Sequence, residues 1–297
     1  RKSLSGRGGP TEAQAQSEGL DAWERRWWAK GDRVAGVDEA GRGPLAGPVV
    51  AAAFVVLDPE DAEVLEVLAR VNDSKQLSEQ QREELFEELT DPKFRGRSTW
   101  AIAEASVLEI DATNILQASL TAMARAVRDL QVRPGVVLVD GCNRPPELLA
   151  PNEKWTRMSQ RELEARKNQT KLGRFFKAKT VKPEEAVWRP KEVEAVIKGD
   201  GRVPSISAAS VLAKVHRDRL MEKLDKLHPL YGFKAHKGYG TEAHLKAIKA
   251  HGLCDEHRKS FGPVRQAKEA EGEEGAEGGA APGGRKRRRE ACSPEAK

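Results

Sequence analysis

Residues 34–48 read Val-Ala-Gly-Val-Asp-Glu-Ala-Gly-Arg-Gly-Pro-Leu-Ala-Gly-Pro. The apolar run Val34–Val37 predicts a β-strand, and Val49–Val56 predicts a second strand directly after the stretch. Between the two strands stand a pair of adjacent acids, Asp38 and Glu39, and a glycine-rich bend. Carboxylates hold hard divalent cations, and glycine lets backbone N–H groups come close to a sugar-phosphate. The stretch therefore predicts metal-assisted chemistry on a phosphodiester at the end of a strand.

Outside this stretch, the hydrophobic pattern alternates between strands and helices. Alternating and continuous apolar runs predict further strands over Thr99–Ala105 and Val136–Val139. The second of these is typical of a buried central strand, and it ends on Asp140. Apolar residues at helical spacing predict four helices, over Glu60–Arg70, Thr113–Leu130, Ser205–Leu227 and Thr241–Ala250. A fifth helix is predicted directly after Ser78, which is a candidate N-cap. Strands interleaved with helices predict an α/β fold.

Composition excludes several classes of protein. The chain has 297 residues, 38% hydrophobic and 33% charged, with a net charge of +5, which suits a polyanionic partner. No apolar run approaches the roughly 18 residues that a membrane span needs. The three cysteines are far apart and have no metal-type spacing, so neither a zinc site nor a disulfide framework is expected.

The chain divides into a central domain and less regular additions. Residues 1–30 are predicted as a polar N-terminal extension that ends in an anchoring helical turn with three tryptophans, and residues 31–265 as the catalytic domain. Within that domain, a basic insertion is predicted at about 152–197. Its residues 166–179 hold six basic residues and no acid, which leaves a solvated loop and a nucleic-acid contact both open. Residues 266–297 read as a disordered, low-complexity basic tail.

The stretch at residues 34–48 also resembles, nearly residue for residue, the signature of the ribonuclease HII family. Further blocks of the same family follow in the family's order and together span roughly residues 33 to 265. They lie at Asn72–Ser78, Val137–Gly141, Lys198–Asp200, Arg202–Lys214, Tyr231–Phe233, His236–Tyr239 and Ser260–Val264.

The resemblance implies a ribonuclease H-like mixed sheet flanked by helices, with a small helical C-terminal part. It implies an endoribonuclease of the bacterial type that cuts the RNA strand of RNA/DNA hybrids and single ribonucleotides embedded in duplex DNA. Cleavage is expected on the 5′ side of the ribonucleotide, leaving a 3′-hydroxyl and a 5′-phosphate. A monomer in the cytoplasm is expected, although the insertion and the basic tail leave an organelle or the nucleus open.

By the same resemblance, the catalytic, metal-holding carboxylates are Asp38, Glu39, Asp140 and Asp200. Oxygen ligands without histidine or cysteine suit Mg²⁺ or Mn²⁺, and two such ions can clamp the attacking and leaving oxygens of a phosphodiester. Asp218 competes with Asp200 for the fourth place. It lies one helical turn after a lysine and off the apolar stripe of its helix, which predicts a surface ion pair instead.

The family's substrate contacts carry over to five positions: Gly41, Arg42, Gly43, Lys75 and Tyr239. The backbone of the first three is implied to contact the 2′-hydroxyl, which distinguishes RNA from DNA. Lys75 is implied to contact a phosphate, and Tyr239 to stack on the sugar at an RNA–DNA junction, with an interface tyrosine as the alternative.

Three other functions are disfavoured by the sequence. A nuclease of the same fold that acts on DNA alone is disfavoured by the Gly41-Arg42-Gly43 bend and by Tyr239. A catalytically inactive hybrid-binding protein is disfavoured because all four acids are present. Dinucleotide binding by Gly41-x-Gly43-x-x-Ala46 is excluded because that motif requires a helix after its glycines, whereas prolines and a strand-like segment follow here.

Overall fold

The structure is a computed structural model that describes residues 22–71, 77–150 and 188–267. Five strands form one sheet: β1 Val34–Ala40, β2 Val49–Val56, β3 Ser98–Ala105, β4 Val136–Asp140 and β5 Glu192–Val196. The α-helices, in chain order, are α1 Ala22–Trp28, α2 Ala62–Val71, α3 Glu79–Leu89, α4 Val107–Ala112, α5 Ile115–Asp129, α6 Pro204–Leu227, α7 Phe233–His236 and α8 Glu242–His251.

The sheet is mixed, with the strand order β3-β2-β1-β4-β5. Strand β1 runs antiparallel to β2 and parallel to β4, while β5 adds in parallel to the far side of β4. Because β1 and β4 are parallel neighbours, their carboxyl ends meet at one edge of the sheet. This arrangement confirms the predicted ribonuclease H-like mixed sheet.

Helices cover both faces of the sheet. Helix α5 packs its apolar side, including Met123 and Val127, against one face. Helix α6 lies across the other face, and α2 and α3 pack against α6. The start of α6 comes so close to β1 that a Cβ built on Gly36 would lie 2.2 Å from the backbone of Ser205. The close contact fixes α6, which carries several site residues, directly over the strand that carries the first acids.

Several elements lie where the sequence predicts them. Strand β2 has the predicted bounds, and Ser78 caps α3 in a reciprocal pair with Gln81, whose side chain accepts from the backbone N–H of Ser78. The predicted helix over Thr113–Leu130 is wrong in its start, because Asn114 caps a helix that begins at Ile115. The sequence analysis also missed the short helix α4.

The insertion predicted to reach residue 197 ends earlier than expected. Residues 192–196 form β5 and pair with β4 from Val136↔Glu192 to Asp140↔Val196, so they belong to the sheet. Most of the predicted insertion, including the basic cluster at 166–179, lies outside the described residues. The tail from residue 268 lies outside them as well.

Helix α1 belongs to the domain core. Trp23 is buried with Val34 and Ile206, which confirms the predicted anchoring turn and shows that the end of the predicted extension packs on the sheet. The C-terminal part is helical, as predicted, with α7 and α8 packed around Phe233. Within the described ranges, no helix has the length and apolar character to cross a membrane.

Candidate active site

The first pair of acids meets at the carboxyl edge of the sheet. The ladder pairs Val37 with Val139, so the next residues on the two strands, Asp38 and Asp140, stand side by side. Asp38 is buried, and the hydroxyl of Ser210 on α6 bonds to its carboxylate. The register of two central strands therefore places these two carboxylates, as the sequence predicted.

Glu39 extends the cluster from the same strand. The sequence predicts a strand that ends at Val37, before the two acids, but β1 continues through both to Ala40. The backbone N–H of Glu39 donates to Oδ1 of Asp38 at 2.7 Å, and the Glu39 carboxylate accepts from Nη1 of Arg42 at 3.2 Å. Burial raises the pKa of Glu39, and the charge of Asp140 raises it further, so the Glu39 carboxylate lies near the other acids although β1 is not interrupted.

Asp200 joins the cluster through the backbone. It lies in a 3₁₀ turn over Gly199–Gly201 that leads into α6. Oδ1 of Asp140 accepts the backbone N–H of Gly199 at 2.7 Å and that of Asp200 at 3.4 Å. Asp200 is buried, and its own carbonyl accepts the hydroxyl of Ser207 at 2.5 Å. The turn therefore fixes Asp200 beside Asp140, and we call Asp38, Glu39, Asp140 and Asp200 the acidic cluster.

The acidic cluster is electrostatically strained. Burial raises the pKa of Asp38 well above its ordinary value, and the charges of Glu39 and Asp140 raise it further. Burial also raises the pKa of Glu39, while Arg42 works in the opposite direction. Carboxylates that repel one another in this way are stabilised by a cation.

The donor set fits a divalent cation once its side chains turn. Within the described ranges, no three His, Cys, Asp or Glu side chains already form a group that could hold an ion. Glu39 is turned to Arg42 and Asp140 to the N–H of Gly199, so these carboxylates would exchange those partners for the metal. Oxygen donors of this kind suit Mg²⁺ or Mn²⁺.

Asp218 is held by an ion pair, but not at the surface. Its carboxylate accepts from Nζ of Lys214 at 2.7 Å, as the spacing predicts. The prediction of a surface position is wrong, because Asp218 is only 6% exposed. Helix α6 contacts two other helices as well as the sheet, so more of its surface is buried than its apolar stripe indicates.

A cleft of about 390 Å³ adjoins the acidic cluster. Glu39 and Ser210 line it together with Gly41 and Tyr239, so it connects the acids with the residues predicted to recognise a ribonucleotide. Tyr239 is 46% exposed, and a Cβ built on Gly43 would lie 3.4 Å from its ring. Three basic side chains also line the cleft: Arg82, Lys214 and Arg217.

Residues 41–48, which we call the bend, owe their shape to two buried arginines. Gly41 has φ +97°, and a Cβ there would lie 2.0 Å from Nε of Arg217, so only glycine fits. Arg217 donates to the carbonyls of Ala46, Pro48 and Lys237. Arg258 donates to four carbonyls of the bend, those of Gly41, Arg42, Gly47 and Pro48.

A chain of hydrogen bonds holds the backbone carbonyl of Tyr239. The Tyr239 carbonyl accepts from Nδ1 of His244 at 2.9 Å, so Nε2 of a neutral His244 is free to accept from Nε2 of His257 at 3.1 Å. Nδ1 of His257 then accepts the backbone N–H of Cys254. Burial lowers the pKa of His244. Burial, together with repulsion from His244 whenever that ring is protonated, lowers the pKa of His257 to about 4. Both imidazoles are therefore neutral at pH 7.

Sequence reasoning missed three residues of the site: Ser210, Arg217 and Arg258. Ser210 lies in the block Arg202–Lys214, which carries the family resemblance, but nothing in its spacing marks it as a partner of Asp38. The arginines bond to backbone carbonyls, so no acid at helical spacing marked them. Lys75, the predicted phosphate contact, lies outside the described residues.

Comparisons of the sequence and of the structure with known proteins agree on one family over most of the chain. The sequence model of the family described as Ribonuclease HII matches residues 35–171 and 161–264. A ribonuclease HII of Methylibium petroleiphilum is 48% identical over 234 residues, covering 79% of this chain and 92% of the relative. One from Acinetobacter baylyi is 44% identical, covering 79% of this chain and 97% of the relative. The crystal structure of ribonuclease H2 from Pyrococcus horikoshii superposes with a TM-score of 0.53 at 28% identity, covering 80% of this chain and 98% of that one.

Proposed function

Because this chain belongs to the ribonuclease HII family and is a metal-dependent endoribonuclease, we propose that it hydrolyses two kinds of substrate. These are the RNA strand of RNA/DNA hybrids and single ribonucleotides embedded in duplex DNA. Cleavage occurs on the 5′ side of the ribonucleotide and leaves a 3′-hydroxyl and a 5′-phosphate. The enzyme acts as a monomer, in the cytoplasm if it follows the bacterial members that it resembles.

The observation that carries this proposal is one cleft lined both by an acid of the acidic cluster and by two of the predicted recognition residues. Glu39 of the acidic cluster lines the same cleft as Gly41 and Tyr239. A phosphodiester held against the acids therefore places the adjoining sugar near the bend. Lys214 and Arg82 in the cleft supply positive charge for the flanking phosphates, and Lys75 is expected to add a further contact.

The acidic cluster is proposed to hold the metal ions. Asp38, Glu39, Asp140 and Asp200 would be the ligands of Mg²⁺ or Mn²⁺, which would supply an activated water and positive charge at the leaving oxygen. Ser210 holds the carboxylate of Asp38. This bond limits the reorganisation that Asp38 requires on binding, since a ligand with a fixed second partner is oriented in advance.

Recognition of the ribonucleotide is proposed to use the backbone of the bend. Among the described residues, no group accepts a hydrogen bond from the N–H of Arg42 or Gly43, and both residues are exposed. A 2′-hydroxyl can accept from these donors, whereas deoxyribose offers nothing there. The ring of Tyr239, next to Gly43, packs on the neighbouring sugar.

One cleavage assay tests the proposal. Three duplexes of one sequence carry a single ribonucleotide, a complete RNA strand, or DNA only, and each is incubated with Mg²⁺, with Mn²⁺ and with EDTA. We expect cleavage of the first two with either metal, 3′-hydroxyl and 5′-phosphate products, and recovery when excess Mg²⁺ is added back after EDTA. Undiminished cleavage in EDTA would contradict the metal mechanism, and equal cleavage of the all-DNA duplex would contradict recognition of the 2′-hydroxyl.

A further inference from the structure

Two guanidinium groups are buried beneath the bend. Arg217 is 1% exposed and Arg258 is fully buried, and neither forms an ion pair with a carboxylate of the described residues. Burying a charge is costly unless its donors are paired. The role of these two arginines should therefore follow from the groups to which they donate hydrogen bonds.

Those partners are backbone carbonyls of an irregular segment. Arg258 donates to Gly41 at 2.7 Å, Arg42 at 3.1 Å, Gly47 at 2.9 Å and Pro48 at 3.1 Å. A bend outside any helix or sheet has no ladder to bond its carbonyls, and unpaired buried carbonyls destabilise a fold. A single planar guanidinium with five donors can satisfy several at once.

The direction of these bonds decides where the opposite side of the bend points. In a planar trans peptide, the C=O of one residue and the N–H of the next point in opposite directions. The carbonyls of Gly41 and Arg42 point inward to Arg258, so the N–H groups of Arg42 and Gly43 point away from it. These are the two donors that no described group accepts from.

Arg217 connects the bend to the segment that carries Tyr239. Its guanidinium donates to Ala46 and Pro48 in the bend and to Lys237 two residues before Tyr239, at 3.1–3.2 Å. The N–H of Leu45 adds a second tie, donating to the carbonyl of Gly238 at 2.8 Å. The spacing between the bend and the segment that carries the tyrosine ring thus depends on the Arg217 side chain together with this backbone bond.

We propose that Arg258 and Arg217 are positioning residues for ribonucleotide recognition: Arg258 aims the N–H groups of Arg42 and Gly43 at the 2′-hydroxyl, and Arg217 sets the distance from that hydroxyl to Tyr239. The inference rests on the proposed function and adds to it the residues that set its selectivity. Burial and the neighbouring charge of Arg217 lower the pKa of Arg258 to about 9, so it still carries its charge at neutral pH. The two guanidinium groups repel each other under one bend, and the hydrogen bonds that they donate to its carbonyls offset this repulsion.

Binding without metal tests the role of Arg258 apart from catalysis. Fluorescence anisotropy in EDTA measures Kd for the single-ribonucleotide duplex and for the all-DNA duplex, using the wild type, R258M and R258K. We expect the preference for the ribonucleotide to fall by about three- to tenfold in both variants, the equivalent of one hydrogen bond. Lysine keeps the charge, but its single nitrogen cannot hold four carbonyls, so R258K is not expected to rescue the preference.

Arg219 provides the matched control, because it lies on the same helix as Arg217 and pairs with Glu83 and Glu87 near the surface. R219M should keep the wild-type preference. The role of Arg217 is tested by kcat/KM: R217M should lower cleavage of the single-ribonucleotide duplex more than cleavage of the continuous hybrid.

The outcomes separate the two proposals. A wild type that binds both duplexes equally would contradict the proposed recognition itself. A wild type with a preference that R258M and R258K keep in full would overturn the role of Arg258 alone, and equal losses on both substrates in R217M would reduce Arg217 to a structural role. Thermal unfolding is recorded for each variant. If either methionine variant lacks a cooperative transition, R258K and R217K, which keep the buried charge, carry the same test.

Discussion

The acidic cluster and the bend lie next to each other, but the chain positions them by different means. The cluster depends on regular structure: the register of two parallel strands sets Asp38 beside Asp140, and one turn brings in Asp200. The bend has no ladder of its own, and its carbonyls are held by arginines from distant parts of the chain. The proposed catalytic carboxylates are thus positioned by the sheet, whereas the proposed recognition segment is positioned by buried side chains.

The largest effect should come from breaking the acidic cluster. Asp140→Asn keeps the shape and one acceptor of the carboxyl group but removes its charge, so turnover should fall by roughly 10²–10³-fold or more, as when other transition-state stabilising groups are removed. Hybrid binding should survive, because the bend does not depend on this strand end. Steady-state kinetics and anisotropy measure the two quantities. Asp255→Asn, at an exposed acid, is the control, and a near wild-type rate for Asp140→Asn would make Asp140 an ordinary turn residue.

The second test separates the two candidates for the fourth carboxylate. Asp200→Asn should impair turnover strongly with little change in stability. Asp218→Asn should keep turnover within about tenfold but lower the free energy of unfolding by about 1–2 kcal/mol, because a buried, charge-assisted bond to Lys214 is lost. Denaturant unfolding and kinetics on both variants check this. The reverse ranking would move the fourth ligand to Asp218.

A smaller effect is expected from the histidines behind Tyr239. The pKa of His257 lies at about 4 in the fold against an ordinary 6.5, so the unfolded chain binds the proton more readily. The contribution of neutral His257 to the free energy of unfolding is complete above about pH 6.5 and is lost as the pH falls towards 4. Between pH 7 and 5 the free energy of unfolding should fall by about 1–2 kcal/mol.

Thermal unfolding at the two pH values measures this effect. His257→Gln should make the melting temperature less sensitive to acid, whereas His216→Gln, at a half-exposed histidine paired with Glu104, should behave as wild type. The same pH sensitivity in all three proteins would show that His257 is not responsible.

The smallest effect should come from the ring that faces the bend. Tyr239→Ala should lower kcat/KM on a single ribonucleotide by up to about fivefold. This loss corresponds to about 1 kcal/mol, the low end of the range of about 1–3 kcal/mol for a base stacked on an aromatic ring. The continuous hybrid should be affected less. Tyr239→Phe keeps the ring and is the matched control. Equal, small losses on both substrates would show that Tyr239 serves packing and that selectivity arises elsewhere.

The contrast between the two regions also explains what the sequence could predict. The strands that carry Asp38 and Asp140 were predictable because a buried strand produces an apolar run. Strand β5 was missed because two glutamates alternate with its buried residues within a highly charged segment. Its period of two was nevertheless visible, as was the Ser106–Glu109 capping box that begins α4.

The determinants of the bend could not be predicted in the same way. Gly41 and Gly43 were recognised through resemblance, but nothing local to Arg217 or Arg258 distinguishes them from surface arginines. Their acceptors are carbonyls, which every residue has, so no residue type marks the partner. Asp218 was predicted at the surface for a related reason: the sequence shows the apolar stripe of one helix, but not the neighbouring helices α2 and α3 that pack against it.

The position of Arg258 also has a consequence for biosynthesis. Translation completes the five strands by residue 196 and α6 by residue 227, so the acidic cluster can assemble while Arg258 is still to be added. We expect a chain truncated at residue 251 to form the sheet but to lose its preference for a ribonucleotide, which circular dichroism and the anisotropy assay would show. Selectivity would then be the last property that the newly made enzyme acquires.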